Sequence, residues 1–140
     1  MAATLAGLVL AGCTHAGLPA PSPTPRAFVL PSLHTVDPSA TIRPAAVTWT
    51  NAARVGDRML DIYYVASPET CRHLANVRIV ETPTTVTITV YEAAFPGAPD
   101  ICTSIGFAAR VRVSLRAPLD GRALLDAAPP TPEPRTLRGS

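Results

Sequence analysis

The sequence predicts an all-β fold: a small antiparallel β-sandwich or curved sheet with one disulfide, preceded by a disordered Pro-rich tether. Three observations predict it. Val86, Ile88 and Val90 alternate strictly with Thr85, Thr87 and Thr89, the period of a strand with one buried and one wet face. The same alternation recurs at Phe107, Ala109, Val111, Val113 and Leu115, with Arg110, Arg112 and Ser114 between them. The third is proline. Of 16 prolines, seven lie from Pro19 to Pro44, four from Pro129 to Pro134, and only five between these zones. Pro lacks an N–H and fixes φ, so the two dense zones exclude helix and central strand.

The elements follow in order. Residues 46–50 read as a strand with Val47 and Trp49 on one side, and residues 51–58, with Val55-Gly56-Asp57-Arg58, as a turn. Residues 59–65 are rich in β-formers, with Leu60, Ile62 and Tyr64 on one face and Asp61 and Tyr63 on the other. Residues 66–72 read as a loop or short helical turn, residues 77–81 as a short strand, and residues 85–91 as the clearest strand. A loop spans residues 95–100, and residues 107–115 form the last long strand. Asp120-Gly121 makes a turn, and residues 122–127 form a final strand or short helix.

Composition narrows the function classes. The chain of 140 residues suffices for one small domain. Only 16% of residues are charged, and the net charge of +2 gives no argument for nucleic acid. All basic residues are Arg, and the absence of Lys excludes Schiff-base chemistry and the P-loop motif.

The N-terminus carries a short apolar run, Leu5 to Leu10, too short to span a bilayer. The run ends in Leu10-Ala11-Gly12-Cys13, which resembles the bacterial lipoprotein box at all four positions. That resemblance implies cleavage before Cys13 and attachment of lipid to its thiol. The pattern departs in one respect: no Arg or Lys precedes the apolar run, which points to a start further upstream. The expected organisation is a lipoprotein signal peptide at 1–12, a lipid-anchored tether at 13–44, a β-domain at 45–128 and a disordered tail at 129–140. The tether, with Pro19, Pro21, Pro23 and Pro25 at every second position, favours polyproline II and acts as a semi-rigid spacer. Ser22 and Thr24 are candidate sites for O-linked sugar.

With Cys13 taken by lipid, Cys71 and Cys102 are the two thiols left, and an even pair outside the cytoplasm is expected to form a disulfide. Recognisable catalytic spacing is lacking. His15 and His34 fall in the tether and His73 in a loop beside Cys71, and Ser67 and Ser104 sit in no nucleophile motif. No catalytic residue, metal ligand or cofactor is therefore expected. The best candidate surface is the outward face of the last long strand. Arg110, Arg112 and Arg116 share one side, and if that strand pairs with residues 85–91, Thr hydroxyls lie beside them. Such forks suit phosphate or carboxylate groups of envelope polymers or lipid heads. The alternative is a face on which Arg pairs with Asp61 or Glu92.

Over residues 57–126 the chain resembles a group of small exported actinobacterial proteins and lipoproteins without assigned activity. The likeness rests on Cys71, Val80-Glu81-Thr82-Pro83, residues 86–90, Cys102 and the run from Val113 to Arg122, and ends at Leu125-Asp126. It implies export and supplies no catalytic residue. The expected function is a membrane-anchored, extracytoplasmic, non-enzymatic binding or cell-envelope accessory module. Its expected partners are the membrane and an anionic envelope polymer or an exported protein. Alternatives are an accessory or inhibitor domain that docks on another exported protein through a loop such as residues 95–100, and a small hydrolase.

Overall fold

Alternating apolar residues need a second apolar face to cover them, and here two sheets cover each other. The computed structural model describes residues 30–129 and 133–138. Among the described residues the elements are all strands: β1 Ser32–His34, β2 Ile42–Val47, β3 Trp49–Gly56, β4 Met59–Ala66, β5 His73–Glu81, β6 Thr85–Ala94, β7 Phe107–Ser114, β8 Ala123–Asp126 and β9 Glu133–Arg135. One sheet has the order β1-β7-β4-β3. In the other, β6 is central, with β5 along one side and β2 and β8 along the other, and β9 continues outward from β8.

The core lies between the sheets. Trp49, Leu60, Ile62, Tyr64, Ala109, Val111 and Val113 enter it from the first sheet, and Leu74, Val86, Ile88, Val90 and Leu124 from the second. Apart from Trp49, Leu74 and Leu124 on β3, β5 and β8, these are the alternating positions of β4, β6 and β7, so the inward faces of those strands follow the sequence pattern. Trp49 is fully buried, and its indole N–H donates to the Ile88 carbonyl across the core at 3.1 Å. A buried Trp needs such an acceptor.

Several expectations are corrected. Both sheets are mixed, because β1 runs parallel to β7 and β8 parallel to β6. Residues 51–58 are mostly strand: β3 runs to Gly56, and its hairpin to β4 turns at Asp57 and Arg58. The boundary expected at residue 45 moves towards the N-terminus, since β1 and most of β2 lie in the stretch assigned to the tether. Likewise β9 lies in the stretch assigned to the tail. Proline does not prevent either, because both prolines sit at an irregularity or an edge of the ladder. Pro44 falls at the register shift between Ile42 and Ala45, beside Arg43 with φ 49°, and Pro134 is on an edge strand. Phe107, expected inward, is exposed because it opens β7 at the rim of the sheet. Thr89, expected on a wet face, is buried in the central strand of its sheet. The lipidation position Cys13 and the sugar sites Ser22 and Thr24 lie outside the described residues.

Candidate functional site

The register of β4 on β7 sets Asp61 opposite Arg112 and Tyr63 opposite Arg110, all on the face turned away from the core. Asp61 is nonetheless only 3% exposed, because both guanidinium groups close over it. Arg112 donates from Nε to Oδ1 at 2.8 Å and from Nη2 to Oδ2 at 3.1 Å, a bidentate fork. Arg110 donates from Nη1 to Oδ2 at 2.5 Å and from Nε to the Pro31 carbonyl at 3.1 Å, which ties the segment before β1 to the sheet. Hydrogen bonds from Arg112, then from Arg110, hold the Asp61 carboxyl below the usual carboxylate range against the opposing effect of burial. Two cations meet one anion here, so the group keeps one formal positive charge. Its accessible part is Arg112, whose side chain is 45% exposed.

The expected trio of arginines is divided. Arg116 lies past the end of β7, where its backbone N–H donates to Glu81 Oε1 at 2.7 Å. It lines a separate hollow with Glu81, Thr82, Pro83 and Arg122 beside the β5–β6 turn. Nor do the Thr hydroxyls of β6 stand beside Arg110 and Arg112, because β6 and β7 belong to different sheets. The pairing of Arg with Asp61, held above as the alternative, is present. The companion suggestion, Glu92, instead accepts the Ser67 hydroxyl at 2.7 Å and the Ser67 backbone N–H at 3.2 Å.

Cys71 and Cys102 form a disulfide, with Cα atoms 6.0 Å apart. It fastens the loop between β6 and β7 to the turn before β5. Beside it, His73 is the first residue of β5 rather than a loop residue. Its Nδ1 contacts the Asp37 carboxylate, its Nε2 lies 2.7 Å from the Glu69 carbonyl, and its ring stacks on Phe95 at 4.2 Å. Hydrogen bonds from Ser39 and His73 hold the Asp37 carboxyl down to about 2.

His34, expected in an unorganised tether, is fixed in β1. Its Nδ1 is 3.2 Å from the Tyr64 hydroxyl, and its Nε2 is 3.8 Å from the Glu69 carboxylate. Burial, followed by the charge of Glu92, raises the Tyr64 phenol above its usual range. His34, Asp37, Glu69, Arg72 and His73 line an open cavity of about 480 Å³. Sequence reasoning missed this assembly, because its members come from two stretches, residues 34–37 and 69–73, that share no motif spacing. Both ring nitrogens of His73 face oxygen acceptors, so the ring joins three segments as a strut. Among the described residues no group of three or more His, Cys, Asp or Glu could hold a metal ion.

Comparison of the chain with protein-family models, with curated proteins and with solved structures finds no match.

Proposed function

We propose that this chain is an extracytoplasmic β-sandwich, anchored to the cell membrane through lipid on Cys13, that binds rather than catalyses. The ligand class is an anionic envelope polymer, held at the surplus positive charge of Arg110, Asp61 and Arg112. The observation that carries the reading is the Cys71–Cys102 disulfide, since such bonds persist outside the reducing cytosol. The lipoprotein-like Leu10-Ala11-Gly12-Cys13 supports the anchor, and the half-exposed Arg112 supports the ligand class.

Two measurements test it on the full chain. Inhibiting the lipoprotein signal peptidase should shift electrophoretic mobility, and Cys13→Ala should abolish the shift; an unshifted chain removes the anchor. Cosedimentation with purified anionic wall polymer should fall on Arg112→Ala without loss of the thermal transition. Undiminished cosedimentation removes the ligand class.

A further inference from the structure

The loop between β6 and β7 holds large apolar side chains in water. Ile101 is 89% exposed, and Ile105 and Phe107 are each more than half exposed. Val65 and Leu30 are also more than half exposed. Register and packing bring these residues to one end of the sandwich. Ala66 is opposite Phe107 and Val65 opposite Ala108 at the end of β4. Gly106 approaches Val65 so closely that a Cβ there would lie 2.2 Å from Val65 Cγ1. Because β1 is parallel to β7 with Ser32 beside Ala109, Leu30 leads into the sheet at the level of Phe107. An apolar cluster of this kind marks a contact surface.

We propose that this end docks on the lipid bilayer, inserting Ile101, Ile105 and Phe107 among the headgroups and upper acyl chains. The choice of a bilayer rests on the anchor proposed above, and on where the described chain begins. Leu30 stands at the cluster, and residues 14–29 alone separate it from Cys13. Sixteen residues of any chain span at most roughly 55 Å, so the cluster lies within reach of the anchoring membrane. Residues 95–109 contain no Arg, and their one charged residue, Asp100, precedes Ile101, so insertion stops where the Asp100 carboxylate stays among the hydrated headgroups. The Cys71–Cys102 bond fixes the backbone of the residue next to Ile101. A loop already held in its bound shape loses little entropy on insertion. Binding through apolar side chains should be independent of anionic lipid and of salt.

Trp49 makes the test direct, because the chain's single Trp is fully buried. Ile101→Trp is introduced into the full acylated chain on phosphatidylcholine vesicles containing brominated acyl chains. The added indole should be quenched while Trp49 in the parent chain is not. In flotation, an unacylated Cys13→Ser chain should bind the same vesicles, and Ile101→Asp should weaken that binding by about tenfold or more. A vesicle-bound, acylated Ile101→Trp chain with unquenched indole overturns the proposal and leaves the anchor standing. If the chain is never acylated, the unacylated Ile101→Trp form decides: quenching upholds the bilayer contact, and its absence overturns it. An indole shielded from aqueous quencher in native membranes yet insensitive to bromolipid would identify a protein as the occupant, and also overturns it.

Discussion

Asp126 Oδ2 accepts the backbone N–H of Trp49 at 3.1 Å, so a carboxylate at the end of β8 holds the first residue of β3 in the opposite sheet. The same oxygen accepts Arg135 Nη2 at 2.9 Å, and Oδ1 accepts the Ala128 backbone N–H at 2.9 Å. Asp126 is fully buried, so every one of these bonds replaces water. Asp126→Ala should therefore cost about 3 kcal/mol, because it leaves the buried Trp49 N–H without its acceptor and the Arg135 guanidinium with Glu133 alone. Asp126→Asn should cost less, since one oxygen remains. Urea unfolding followed by Trp49 fluorescence measures both, and an unchanged midpoint for the Ala variant would show that the two sheets are not joined here.

The two arginines on Asp61 should respond unequally. Arg110 is the more enclosed and also holds the Pro31 carbonyl, so Arg110→Ala should destabilise by about 2 kcal/mol. Arg112→Ala should cost distinctly less, because its half-exposed guanidinium is replaced by water while Arg110 still neutralises Asp61. Equal losses in thermal denaturation would contradict this division.

Acid should weaken the fold through three carboxylates. Asp37, Asp61 and Glu81 all have lowered values, Asp37 down to about 2 from 3.8. A carboxyl whose folded value is depressed contributes stability that is fully present above its unfolded value. That contribution is lost as pH falls through the folded value. The urea midpoint should therefore change little through these groups from pH 7 to about 5, then fall between about pH 4 and pH 2. Asp37→Asn should remove part of that acid dependence. A midpoint flat down to pH 2 would rule out these contacts as contributors.

The covalent staple should matter as much as any packing contact. Cys71 and Cys102 are 31 residues apart, and a loop of that length gives about 3.5–4 kcal/mol in the chain-entropy model. Replacing both with Ala should lower stability by that order and free the loop that carries Ile101. Limited proteolysis should then cut first among residues 95–106. An unaltered cleavage pattern would mean that the loop holds its shape without the bridge.

Much of the fold was legible because alternation and burial share a period of two. Leu60, Ile62 and Tyr64, Val86, Ile88 and Val90, and Ala109, Val111 and Val113 all reach the core as their pattern requires. Phe107 broke the pattern because alternation says which face a residue takes and nothing about distance from the sheet's rim. Asp61 was assigned correctly to the outer face, but its burial comes from two residues on another strand. The His34, Asp37 and His73 assembly left no trace in the sequence, since no short motif spans residues 34–73.

By itself the sequence determined the class of structure and the main inward faces, because local alternation carries that information, and it pointed to the Cys71–Cys102 pair that the structure joins. Only the tertiary structure decided which strands became neighbours. That choice put β7 beside β4 rather than β6, placed two arginines on one buried carboxylate, and sent Arg116 elsewhere. Strand order depends on how two whole apolar faces close against each other. That is a property of the assembled sheets, and no single stretch of chain contains it.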